Sequence, residues 1–302
     1  MAQALRRLDR TTVPAQKKRK QADNGTDQFF DGEDQDVDEP DTPWPVRRLD
    51  ALQRVWGEGF TTAGEAIQLE KLLPHLDLSE KKSVLLLGAG LGGAGQMIVE
   101  KTGAWVTGYE SDADLAALGK ERIRIKGLTR RTPVTYSSYE KIKIKPKSFD
   151  VCIALEKLYT VSDKKAALEA IVGGLRSNGE LWYTDFCLPS TEAPIPALRE
   201  WIESEPVTPS LWPGTVTQAL LGKFDLNVRA AADVTREHRS RIFRSLFTFL
   251  AGTNKAELLE IVDGLFPELE ALGKRIAAID SGGLKVIRFQ AFKNPEKRKV
   301  GF

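Results

Sequence analysis

Cysteine, histidine and methionine each occur only twice in the 302 residues. Two cysteines, Cys152 and Cys187, exclude a disulfide framework and a four-thiolate zinc site. Both lie in apolar surroundings, FDVCIAL and TDFCLP, and read as reduced, buried thiols of a cytoplasmic protein. Two histidines, His75 and His238, exclude a histidine-rich metal centre, and no metal is expected. No run approaches the roughly 20 apolar residues of a membrane helix, so no membrane span is expected. The opening MAQALRRLDRTTVP lacks the apolar centre of a secretory signal. Neither sign of charge dominates: 44 Lys and Arg face 42 Asp and Glu, for a net +2, which argues against a nucleic-acid partner. What is present is a 41% share of hydrophobic residues, enough for a sizeable core.

The balanced charge is made of unbalanced blocks. Residues 1–20 carry seven Lys and Arg against Asp9 alone, and residues 21–43 carry nine Asp and Glu with no Lys or Arg. Apolar periodicity is missing from both, so neither buries enough surface to offset its ordering entropy. The spacing predicts a disordered charged tail over 1–43. Two readings remain open for it: a solvated tail, or a docking arm for a protein or anionic partner. A short basic tail closes the chain at 295–302.

Between the tails the pattern is that of folded protein. Residues 44–82 read as entry helices. In RRLDALQRVW, Leu49, Leu52, Val55 and Trp56 share a face. The glycine-punctuated GEGFTTAGEA follows, and a second amphipathic helix breaks near Pro74. From residue 83 strand and helix alternate: SVLLLGAG, a helix, AWVTGYE, a helix, TPVTYSSYE, KSFDVCIALEKL, a helix and ELWYTDF. Continuous apolar strands separated by helices predict a parallel sheet covered on both faces. The expected fold is therefore α/β, a doubly wound Rossmann-like sheet over 83–294 with N-terminal entry helices. A C-terminal helical cap is expected at about 191–280. Late strand candidates lie at 225–234 and 283–292.

The chemistry is concentrated in one turn. Gly88-Ala89-Gly90-Leu91-Gly92-Gly93 follows the first strand and opens a helix, where glycine lets the backbone turn sharply and approach a ligand. Glu110 stands twenty residues after Gly90, at the end of the second strand, as an acceptor for two ribose hydroxyls. Nicotinamide dinucleotides and S-adenosylmethionine are both held this way. The alternative is a tight strand–helix turn beside a surface glutamate.

The later strands decide between them. FDVCIALEKLYTV, a helix, and then GGLRSNGELWYTDF resemble the hydrophobic-strand, helix, L-x-x-x-G-x-L-x-x-x-D run of class I S-adenosylmethionine-dependent methyltransferases. WGEGFTTAGEA, LLLGAGLGGAG and TDFC resemble the phosphoethanolamine methyltransferase branch, over roughly 44–294. The resemblance implies a Rossmann-like methyltransferase fold and S-adenosyl-L-methionine as cofactor. It places Gly88, Ala89, Gly90 and Gly93 at the cofactor, with Thr61 and Thr62 beside its methionine part. It places Glu110 on the ribose, Ser111 or Tyr109 beside the adenine and Glu140 near the adenine amine. For Glu140 a solvated loop position stays open.

This chain departs from the branch at several positions. Leu87 stands where the branch has an acidic residue in its first strand. The branch's Arg-Asp pair after the fourth strand becomes Leu155-Glu156. Its histidine falls on Thr160, beside Tyr159, and its partner tyrosine falls on Trp44. Glu156, Tyr159 and Thr160 are the catalytic candidates that remain. Glu156 either begins the acceptor pocket or starts a helix. His238, within VTREHRSRIF, reads as part of a solvated helix face with Arg236, Arg239, Arg241 and Arg244; an anionic acceptor or partner is the alternative for those arginines. Trp182 and Tyr183 read as core rather than a substrate cage. The expected function is methyl transfer to a small-molecule acceptor. The alternative is a methyltransferase-like binding or regulatory protein that no longer catalyses. No N/D-P-P-Y/F motif points to DNA-amine chemistry.

Overall fold

The structure, a computed structural model, describes residues 42–190, 192 and 194–295. Most of the expected charged tail and all but residue 295 of the basic tail lie outside the described residues. The chain divides into residues 1–46 and residues 47–302, and the fold below belongs to the second.

Helix α1 (Val46–Trp56) buries the expected stripe of Leu49, Leu52, Val55 and Trp56, and α2 (Glu65–Leu72) follows after the glycine-rich turn. Pro74 lies in a single 3₁₀ turn, Leu73–His75, that ends this layer. The alternating region then gives β1 (Ser83–Leu87), α3 (Gly93–Thr102), β2 (Trp105–Glu110), α4 (Ala113–Ile125), β3 (Val134–Tyr136) and β4 (Phe149–Leu155). It continues with α5 (Lys164–Gly174) and β5 (Leu175–Leu188). Asp112 and Asp163 start α4 and α5 by accepting the backbone N–H of Leu115 and Ala166, which satisfies donors that the first helical turn leaves free.

The second half carries helices of the expected cap and strands at both late candidates. α6 (Pro196–Ser204), the two-residue strand β6 (Trp212–Pro213) and α7 (Gly214–Leu221) lead into β7 (Leu226–Asp233). α8 (Thr235–Gly252), α9 (Lys255–Asp280) and β8 (Lys285–Lys293) complete the fold. A capping box of Asn254 and Glu257 starts α9. The strand inside the expected cap has a local cause: LNVRAAAD alternates buried and exposed residues, the period of a strand.

The strands join in the order β3-β2-β1-β4-β5-β8-β7, with β6 on the end of β5. β1 to β5 run parallel, while β8 is antiparallel to both β5 and β7. Residues 176–179 loop out between the pairs Phe149–Leu175 and Val151–Glu180, so β5 begins earlier than the expected ELWYTDF. Order reverses between β1 and β4. The crevice beyond the carboxyl ends of these two strands is where open α/β sheets take ligands, and the glycine turn leaves β1 at that point.

Candidate active site

The turn is built around backbone that only glycine adopts without strain. Gly88, Gly90 and Gly92 have φ of 77°, 52° and 87°. Tyr139, missed in the sequence, braces it from below. Its buried hydroxyl accepts the Gly88 N–H at 2.7 Å and donates to the Tyr109 carbonyl at 3.3 Å. Burial raises the Tyr139 phenol well above its ordinary value, so it stays a neutral donor. α4 presses on the turn from the side, where Gly119 makes the close approach possible: a Cβ there would stand 2.1 Å from the Gly90 carbonyl oxygen.

Glu110 closes the turn. Its buried carboxylate accepts N–H groups from Gly90 at 2.9 Å, Ser111 at 2.8 Å and Asp112 at 3.1 Å. Two of these go to Oε1 and one to Oε2, so Oε2 keeps a lone pair for a ligand hydroxyl.

The entry segment meets the turn from above. The Gly93 N–H donates to the Gly59 carbonyl at 3.0 Å. Thr61 Oγ1 lies 3.6 Å from where a Cβ on Gly90 would stand, and nothing else comes within 4 Å of that point. Gly90 is thus a cradle open to a ligand. Gly88 is not: the aliphatic chain of Lys157 fills the space above it. The Lys157 ammonium is tied down by Thr62 Oγ1 at 2.6 Å and Glu65 Oε2 at 3.3 Å. Glu65 is buried, which raises its carboxyl against the lowering influence of Lys157.

Thr61, Thr62, Gly88, Ala89, Gly90, Gly93 and Glu110 therefore gather at one place. Ala89 is buried and donates its N–H to the Tyr109 carbonyl, and Ser111 is exposed at the rim. The Glu140 carboxylate is used elsewhere: it accepts the N–H groups of Ser162 and Asp163 ahead of α5.

Glu156 is the centre of a second group. It follows β4 in a left-handed conformation, φ 59°, and donates its N–H to the Thr184 carbonyl. It starts no helix, since α5 begins at Lys164. Its Oε1 lies 3.1 Å from both His238 Nδ1 and Arg241 Nη2. Burial alone pushes the carboxyl up; His238 and Arg241 overcome that and hold it at about 2.

The solvated reading of α8 is thereby corrected. His238, Arg241, Ile242 and Ser245 form the buried stripe of the helix, while Arg236, Arg239 and Arg244 are exposed. His238 is 1% exposed, stands edge-on to Phe186, and its Nε2 is buried with no hydrogen-bond partner. Its spacing to Arg241 and Ile242 was the available signal; its partner, 82 residues earlier, carried none.

Tyr159 packs on Phe186 and Trp201 and donates to Glu205 Oε2 at 2.8 Å, while Arg275 donates to Oε1 of the same carboxylate. Thr160 is half-buried. Trp182 and Tyr183 are buried as expected, and Tyr183 stacks on Phe289. On that face Lys164, 1% exposed, pairs with Asp185 at 2.9 Å, and the Tyr183 hydroxyl donates to the same carboxylate oxygen at 2.6 Å.

Residues 85–183, the span from β1 to β5 that carries the turn, Glu110 and Glu156, match the methyltransferase domain family. Over this third of the chain the protein is similar to class I S-adenosylmethionine-dependent methyltransferase domains. Phosphoethanolamine N-methyltransferase 3 of Arabidopsis thaliana is 26% identical over 143 residues, 47% of this chain and 29% of that one. The chain thus matches under a third of that relative's length. Among solved structures, Haemonchus contortus phosphoethanolamine N-methyltransferase 2 with S-adenosyl-L-methionine superposes with a TM-score of 0.61. It is 18% identical and shares 82% of this chain and 56% of its own. The [4+2]-cyclase SpnF gives the same TM-score at 16% identity, covering 82% of this chain and 93% of its own. The matched span covers β1 to β4, the start of β5 and the glycine turn; His238 and Arg241 lie outside it.

Proposed function

We propose that the protein is an S-adenosylmethionine-dependent methyltransferase acting on a small-molecule acceptor. The observation that carries the reading is the Glu110 carboxylate, locked over Gly90 by three backbone N–H groups with one lone pair to spare. Glu110 holds the ribose, Gly90 and Thr61 border the methionine part, and Ser111 lies at the adenine edge. When bound, the cofactor supplies an electrophilic methyl group on a sulfonium. The chain's part is alignment and exclusion of water, which makes up much of such a displacement.

Glu156 and His238 fit a further task. Nδ1 of the imidazole lies 3.1 Å from both Glu156 Oε1 and Arg241 Nη2, which fixes the ring, and Nε2 has no hydrogen-bond partner among the described residues. α8 thus supplies a histidine that the fourth-strand region lacks, oriented by a carboxylate as a candidate to hold the acceptor's proton. The domains follow the same reading: entry helices over 44–82 and the methyltransferase domain over 83–294.

One observation favours a second reading, a binding or regulatory protein that retains the fold without turnover. The Lys157 side chain occupies the space above Gly88, so ligand entry there requires it to move. Calorimetry with S-adenosylmethionine and S-adenosylhomocysteine, followed by mass spectrometry of methylated products from a cell extract, separates the two. Binding with a methylated product supports transfer. Binding without product, across acceptors, supports the second reading, and no binding removes both.

A further inference from the structure

On one face of the sheet, α2, β5, β8 and the start of α8 enclose a cleft of about 480 Å³. That is the size of a small-molecule pocket. None of its lining residues belongs to the glycine turn or to Glu110. Its floor is the indole of Trp182, flanked by Leu72, Leu155 and Val234. The indole N–H is already committed to Glu180 at 2.5 Å, so its face toward the cleft is a flat apolar wall.

The rim is cationic. Arg288 stands 5.9 Å over the Trp182 ring and faces Glu237 at 3.6 Å. Arg241 reaches Glu156, as above, and also donates to Gln68 Oε1 at 2.7 Å. Gln68 in turn donates to Thr184 at 3.1 Å, which satisfies that wall. Glu237 therefore balances Arg288, and Glu156 balances Arg241. Lys71 has no ion-pair partner among the described residues. One N–H is also left over: Arg241 Nε is buried without a partner. A buried donor left unpaired is costly, so a ligand that accepts from it gains by the contact.

We propose that this cleft binds a small organic oxyanion, a carboxylate or phosphate monoester, whose apolar body lies on Trp182. The anion answers the uncompensated Lys71 and the unused N–H of Arg241 with charge-assisted hydrogen bonds, the strong kind. Neutral ligands of the same shape gain only the apolar wall. The site goes beyond the methyltransferase reading and stands apart from the cofactor turn. It borders the Glu156 group through Arg241 and Thr184.

The test titrates the full chain with benzoate, phenyl phosphate and the neutral benzyl alcohol at constant ionic strength, read by calorimetry. Lys71→Met keeps the exposed side chain's length without its charge, so folding is not at stake. Lys120→Met, on α4 and away from the cleft, is the control. Expected is saturable binding of benzoate or phenyl phosphate but not of benzyl alcohol, weakened about tenfold by Lys71→Met, the loss of roughly one charge-assisted contact. Lys120→Met should leave it unchanged. Binding of neither anion, equal binding of benzyl alcohol, or equal effects of the two lysine variants overturns the proposal. S-adenosylhomocysteine binding is measured on the same samples. Its absence beside a working anion site removes the cofactor reading and leaves this one standing.

Discussion

Lys157 lies directly over Gly88: its Cγ, Cδ and Cε would be 2.3–2.4 Å from a Cβ built on that glycine. A lysine from the end of β4 thus packs into the space that the missing side chain of the β1 turn leaves. Gly88→Ala is expected to destabilise the fold twice over, through φ of 77° and through the collision. The combined loss should be about 2–4 kcal/mol, read from urea midpoints. In Gly88→Ala/Lys157→Ala the collision term disappears and the backbone term stays, so the double variant should recover part of the loss. Strictly additive effects would mean that the two residues do not touch.

Glu110 has a structural role that its ribose-binding spacing did not disclose. Glu110→Ala leaves three N–H groups of the turn without an acceptor, so it should lower stability by about 1–3 kcal/mol even without ligand. S-adenosylhomocysteine affinity should fall by a similar amount. Glu110→Gln keeps one acceptor oxygen and should lie between. Wild-type affinity in Glu110→Ala would take the residue out of the cofactor site.

Glu156 predicts a pH signature. Its carboxyl is held at about 2 in the folded chain against 4.5 ordinarily, so the unfolded chain binds the proton first as pH falls. The stabilisation is complete above the unfolded value and drains away on acidification toward the folded one. The stability difference between wild type and Glu156→Gln should therefore shrink by about 2 kcal/mol between pH 5 and pH 3. Asp185, whose carboxyl is raised by burial, contributes with the opposite sign and is common to both proteins. A difference that stays constant with pH would show that Glu156 is not ion-paired.

Lys164 and Asp185 are 1% and 2% exposed and form their pair against the Tyr183 hydroxyl. Removing one member strands a charge. Lys164→Met alone should cost about 3–5 kcal/mol, and Lys164→Met/Asp185→Leu should regain most of it. Thermal midpoints of the two variants decide the matter. Equal losses would mean that the pair is solvated and dispensable.

The sheet and the turn were legible because their signals are local. SVLLL is apolar throughout, and each glycine of the turn needs its conformation for reasons set by neighbours in the chain. Glu110 was legible by spacing to Gly90. The Glu156 cluster was not, because its chemistry is assembled across 82 and 85 residues. Within EHRSR a histidine looks solvated, and only the docking of α8 gives it an inward face. Tyr139 was passed over for the same reason: its hydroxyl serves a backbone N–H 51 residues earlier. The strand inside the expected cap was legible at 225–234 by its alternation, despite three alanines of little β character.

The place of β8 between β5 and β7 has a consequence for how the chain is made. Until residues 285–293 have been synthesised, the edge of β5 that will receive them is bare, and β7 has no neighbour at all. A long apolar edge left waiting is a template for pairing with other chains. Ribosome-bound or truncated chains that stop before Lys285 should therefore aggregate, and added peptide 283–294 should suppress it by taking the empty place.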